Sequence, residues 1–129
     1  MEISSPTVAE ENRRRRDYYS DVSRYAAKVD SNQKVIMTLL RGEGLSVFNL
    51  SGNGMGCPDL ICGYTHPDTG VQSTYLVEVK DGSRYSAQAT DESMLTSFQK
   101  AFIKSWTGTP VVVIKDEDSA MAWVREIKR

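Results

Sequence analysis

Apolar positions recur at helical spacing in three parts of the chain and at strand spacing in four. Val35, Ile36, Leu39 and Leu40 share a helical face behind the N-cap residues Asp30, Ser31 and Asn32, and Gly42 and Gly44 end the run. "LSVFNL" then reads as a strand and "SGNGMG" as a sharply turned loop. "DLICGY" and "TYLVEVK" are further strands, separated by the turn signal Pro67-Asp68-Thr69-Gly70, which predicts an antiparallel hairpin. Residues 81–95 are polar and lack either period, a length at which loops are usually functional or disordered. Phe98, Phe102, Ile103 and Trp106 predict a second helix, stopped at Gly108. "VVVIKD" predicts a last strand, and Met121, Val124 and Ile127 line one side of a last helix. Trp106 and Trp123 are expected in the core, since each shares a face with other apolar positions.

This order predicts an α/β fold with one mixed central sheet, part antiparallel and part parallel, flanked by helices. The 129 residues suit a single domain, and their composition, 40% hydrophobic and 26% charged, is that of a globular protein. Residues 30–129 carry the periodic pattern and residues 1–29 form an N-terminal arm. No apolar run approaches the roughly 20 residues that span a bilayer, so no membrane partner is expected. The N-terminus has no apolar core like that of a signal peptide, and the expected location is cytoplasmic.

Charge and cysteine narrow the chemistry. Cys57 and Cys62 lie in one short segment, with no CxxC pair and a single His66, so free thiols are expected rather than a disulfide framework or a zinc site. His66, in a turn, is expected to be exposed and without a catalytic role. The net charge of -1 gives no overall bias towards nucleic acid, but its distribution does. Residues 11–28 carry six basic and three acidic side chains, with Arg13, Arg14, Arg15 and Arg16 consecutive and three tyrosines nearby. A basic helical arm of this kind fits along phosphates; a solvated helix or tail fits the charge pattern equally well.

The candidate chemistry lies where charge enters two apolar strands. Glu78 and Lys80, two apart, project to the same side of their strand, and Asp59 opens the preceding one. Antiparallel pairing puts the start of one strand opposite the end of the other and brings Asp59 to Glu78 and Lys80. Two carboxylates that close raise each other's pKa unless a cation lies between them. Oxygen ligands with room for water and phosphate suit Mg²⁺ or Mn²⁺, which lower the pKa of bound water and stabilise phosphoryl charge. The motif "ExK" alone recurs by chance on exposed strands; the specific pattern is Pro58-Asp59, 18 intervening residues, "EVK" and a glutamine-bearing helix.

"GCPDLICGY", "YLVEVKDG" and "LTSFQKAFIKSWTG" together resemble the PD-(D/E)XK nuclease superfamily, and within it the small VRR-NUC-type phage nucleases and their Holliday-junction-resolvase relatives. The resemblance extends from Asp30 to the final helix. It implies a restriction-endonuclease-like core and a Mg²⁺-dependent deoxyribonuclease. Asp59, Glu78 and the backbone carbonyl of Val79 become metal ligands, and Lys80 the catalytic lysine. Gln99 falls where these nucleases carry a glutamine directed at the site, although Thr96 and Gln99 also form a T-x-x-Q capping box. The chain departs from many relatives at the first helix, where Gln33 stands in place of an acid. That glutamine can contact water or phosphate but puts a second metal in doubt, with Asp30 and Glu43 as substitutes. Arg84 and Lys100, with Tyr85, are candidate DNA contacts.

The expected function is a structure-specific DNA endonuclease acting on branched DNA or Holliday junctions in phage replication, recombination or repair. A homodimer is expected, since a chain this small offers little surface for a branched substrate. The alternative is a non-catalytic module of the same fold that binds DNA or protein.

Overall fold

The computed structural model describes residues 7–14 and 31–129. Residues 8–14 are helical and exposed; they include Arg13 and Arg14, while Arg15, Arg16, Asp30 and the rest of the arm lie outside the described residues.

Helix α1, Ser31–Gly42, ends in a Schellman motif that satisfies its last carbonyls. Leu45 N–H donates to the Leu40 carbonyl, Gly44 N–H donates to that of Arg41, and Gly44 takes the left-handed conformation this turn requires, φ 94°. The buried face runs through Gln33, Ile36 and Leu40, at spacings of three and four. The expected Val35 is exposed instead, because that stripe turns it outward and brings Met37 and Leu39 partly in.

Strands β1 (Ser46–Asn49), β2 (Leu60–Thr65), β3 (Gln72–Val79) and β4 (Val112–Ile114) form one sheet in the order β1-β2-β3-β4. β2 and β3 pair antiparallel, as the turn between them predicts; β1 also pairs antiparallel with β2, and β4 joins β3 in parallel after a crossover that contains helix α2, Ser97–Ser105. Helix α3, Glu117–Ile127, returns to pack on α1 and β4. The chain is thus a mixed α/β protein with a four-stranded mixed sheet flanked by helices.

One side of the sheet holds the core. Ile36 and Leu40 from α1, Leu60, Val77 and Ile114 from the strands, and Ala120, Trp123 and Val124 from α3 close on one another. Each large aliphatic side chain there contributes about 1.5–3 kcal/mol relative to exposure. Trp123 adds an edge-to-face contact with Tyr75, ring centroids 5.3 Å apart. The last helix therefore buries Ala120, Trp123 and Val124, with Ile127 packed partly against them and Met121 only half-buried.

Helix α2 corrects the expectation more sharply. None of its residues is buried; Phe98 is 64% exposed, and Trp106, just past its end, is exposed rather than core. Phe102 and Trp106 stack on each other, centroids 5.6 Å apart, in place of packing under the sheet. His66 is half-buried rather than exposed, because its ring is tied on both sides. Nδ1 accepts from Asp68 and Thr69 N–H, and Nε2 lies 3.0 Å from the Arg129 carbonyl. The two cysteines are free thiols, Cys62 buried and Cys57 half-buried. Among the described residues no helix is long and apolar enough to cross a membrane.

Candidate functional site

The hairpin register builds the site. Leu60 pairs with Val77, so the next pair outward is Asp59 opposite Glu78. Leu60, Val77 and Val79 point into the core, which turns Asp59, Glu78 and Lys80 to the opposite face. Lys80 N–H donates to the Ile114 carbonyl on β4. Val79, one residue earlier, faces the other way, and its N–H donates to Asp59 Oδ2 at 2.9 Å. Strand geometry turns the Val79 carbonyl to the same side as its N–H, towards Asp59.

A cleft of about 350 Å³ opens over these groups, lined by Gln33, Ser51, Asp59, Glu78, Lys80 and Gln99 among others. Glu78 is 3% exposed, and Lys80 Nζ lies 3.7 Å from its Oε1. Burial, and then the charge of Asp59 and a hydrogen bond with it, push the Glu78 carboxyl up to about 8 from its ordinary 4.5, against the pull of Lys80. The two carboxyl groups thus interact directly, Glu78 buried and Asp59 half-buried. Cys57, two residues before Asp59, also feels it: burial first, then the charges of Glu78 and Asp59, raise its thiol pKa.

Gln99 reaches the cluster from α2 and caps its own helix at the same time. Its Oε1 accepts from Thr96 N–H at 2.8 Å and completes the capping box. The same oxygen accepts from Lys80 Nζ at 2.8 Å, while Nε2 donates to Glu78 Oε1 at 2.8 Å. One amide, with acceptor and donor ends, spans helix cap, lysine and carboxylate.

The wall opposite is built by α1 and the glycine loop. Gln33 Nε2 donates to Ser51 Oγ at 2.9 Å and to Asn49 Oδ1 at 3.3 Å. Leu50 N–H closes the loop on the Asp59 carbonyl at 2.6 Å. Gly56, at φ 76°, lies so close to α2 that any side chain there would collide with the Phe98 carbonyl. Asn32 Nδ2 donates to the Lys80 carbonyl at 2.7 Å and pins the end of β3 to α1.

Asp59, Glu78, Lys80, Gln99, Gln33 and the Val79 backbone therefore meet in one cleft, and Arg84 and Tyr85 line it too. Arg84 pairs with Asp81 at 3.4 Å. Lys100 is exposed on α2 and does not line the cleft; neither do Arg13 and Arg14. Glu43 is no substitute for the missing acid, since it lies at the far end of α1, paired with Lys128 at 2.8 Å. The contacts of Asn32 and Ser51 had no sequence signal, because their partners are remote along the chain or in an irregular loop.

The donor set fits one hard cation. Two touching carboxyl groups, one of them pushed up towards neutrality, gain by accepting a positive charge, and the Val79 carbonyl supplies a third oxygen nearby. Among the described residues no group of three or more His, Cys, Asp or Glu side chains stands close enough to hold a metal, so the remaining ligands would be water or substrate. Neither a protein-family model, nor a characterised protein, nor a solved structure matches this chain.

Proposed function

We propose that this chain is a metal-dependent DNA endonuclease of the PD-(D/E)XK type, with a restriction-endonuclease-like core, that hydrolyses phosphodiester bonds in branched DNA. The observation that carries the reading is the contact of Asp59 with the buried Glu78, beside Lys80, on adjacent antiparallel strands. Buried acids in contact cost stability and persist where they serve chemistry.

Asp59, Glu78 and the Val79 carbonyl would hold Mg²⁺ or Mn²⁺. Held there, the metal would lower the pKa of water and stabilise charge on the phosphoryl oxygens. The chain's own residues do the rest. Lys80 offers its ammonium to the scissile phosphate, fixed by Gln99 and Glu78 so that little side-chain freedom is lost on binding. Gln33 and Ser51 present neutral hydrogen-bonding groups on the facing wall and add no third charge to the carboxylates. Arg84 supplies a second cation at the rim.

The basic residues 13–16 and the rest of the arm are assigned to phosphate contact, and two copies of the chain to a branched substrate. The same resemblance points to a phage or prophage protein acting in the cytoplasm of a bacterial host. Cleavage assays on four-way junction, flap, duplex and single-stranded DNA, with Mg²⁺, Mn²⁺ or EDTA, test the assignment. Metal-dependent cutting lost in Asp59→Ala and Glu78→Ala, with the circular-dichroism spectrum intact, is the expected outcome. Cutting by the purified double variant, or undiminished cutting in EDTA, overturns it. Removal of residues 1–29 is expected to flatten the salt dependence of DNA binding, and light scattering reads the oligomeric state.

A further inference from the structure

Two exposed apolar side chains stand beside the cleft without a place in the chemistry above. Met55, at the tip of the glycine loop, is 80% exposed and is the single non-glycine residue of positive φ, 56°, among the described residues. Phe98 lies in the first turn of α2, immediately before Gln99. Gly56 lies against the Phe98 backbone, so the loop tip and the helix start are neighbours. The loop's other end, Ser51 and Gly52, lines the cleft. Apolar groups at this degree of exposure gain from a flat apolar partner.

We propose that Met55 and Phe98 form a lip that receives an unpaired base of the DNA strand whose phosphodiester enters the cleft. The inference rests on the nuclease reading. Phe98 adjoins the glutamine that touches Glu78 and Lys80, so a base on its ring belongs to a nucleotide at or next to the scissile phosphate. A phenyl ring and a thioether suit the face of any base, which gives affinity without sequence preference. Lys100 and Lys104 are exposed on the other flank of α2, roughly 200° and 240° around from Phe98 at about 100° per residue, where the strand's phosphates can run. Base faces are covered in intact duplex, so the lip selects DNA with a branch point or a single-stranded stretch.

The test uses the full chain in EDTA, with 2-aminopurine placed at the branch of a flap or junction, in its paired arms, or in plain duplex. Quenching at the branch alone is expected, and Phe98→Ala should weaken branched-DNA binding about tenfold, consistent with the worth of one base–aromatic stack. Met55→Gly, which suits the positive φ, should weaken it less, and Phe98→Tyr should restore binding. Unchanged affinity and quenching in Phe98→Ala overturn the lip, even where Asp59→Ala still abolishes cutting. A shift in oligomeric state without a change in DNA affinity overturns it as well. Quenching at the branch without any metal-dependent cleavage supports the lip and removes the nuclease reading alone.

Discussion

Helices α2 and α3 begin in the same way and end in different jobs. Each opens with a capping box, Thr96 with Gln99 and Asp116 with Ser119, and each places apolar residues on one face. In α3 that face goes into the core, where Trp123 and Val124 are buried, and the Ser119 hydroxyl serves only nearby backbone, accepting from Lys115 and Asp116 N–H. In α2 no residue is buried, and the capping side chain reaches past its own helix to Lys80 and Glu78. The difference shows how one local motif can stay within its own helix or reach beyond it: a short serine serves only the nearby backbone, whereas a glutamine has the length and the second polar end to touch side chains on another strand.

The largest effect separates the two helices by their tryptophans. Trp123→Ala removes a buried ring from the core and should cost about 3–5 kcal/mol in urea denaturation. Trp106→Ala removes an exposed ring that stacks on Phe102 and donates to the Thr109 carbonyl at 3.1 Å, and should cost about 1 kcal/mol. Equal costs would mean that α2 is as deeply embedded as α3, and the contrast would fail.

Next comes the acid that α2 holds. Without metal, the folded-state pKa of Glu78 is raised to about 8 from 4.5, so between those values the folded chain binds a proton that the unfolded chain has released. Stability therefore falls as pH rises through that window. Glu78→Gln keeps an acceptor for Gln99 Nε2 and removes the charge, so it should raise the melting temperature at pH 8 in EDTA and flatten the slope. Added Mg²⁺ should stabilise the wild-type chain there and leave the variant unmoved. A variant less stable than wild type at pH 8 would show that the buried carboxylate is already compensated by the protein itself.

The parts of this site that were legible in sequence are those fixed by short-range rules. Strand alternation put Glu78 and Lys80 on one face, the turn at residues 67–70 made the hairpin, and the hairpin brought Asp59 opposite Glu78. Helical periodicity also found α2, but a period only says that Phe98, Phe102 and Trp106 share a side; it does not say whether anything covers that side. It misjudged Val35 for a related reason, since two overlapping stripes fit α1 and only the sheet beneath selects between them. Asn32 and Lys80 meet across 48 residues of chain through one side-chain amide, a contact with no local signature. Gln99 lies between these cases, because its spacing revealed the cap and concealed the reach.

The smallest effect is the most discriminating, because it compares matched deletions at the two caps. Ser119→Ala and Gln99→Ala each remove the third-position side chain of a capping box, and each should cost about 1 kcal/mol of stability. Their effects on cleavage should diverge. Ser119→Ala leaves every group in the cleft in place and should cut DNA at the wild-type rate. Gln99→Ala frees the Lys80 ammonium from one of its two restraints and removes the Glu78 donor, so the rate should fall with little change in affinity for DNA. Gln99→Glu sharpens the cause: it keeps the acceptor for Thr96 N–H and for Lys80 but cannot donate to Glu78, and it adds a carboxylate to a site that already crowds two. A Gln99→Glu variant with normal stability and lost cleavage shows that neither the cap nor the hold on Lys80 is enough, and that the side facing Glu78 must be a neutral donor. If instead Ser119→Ala lost as much activity as Gln99→Ala, capping alone would explain both, and α2 would differ from α3 only in what it fails to bury.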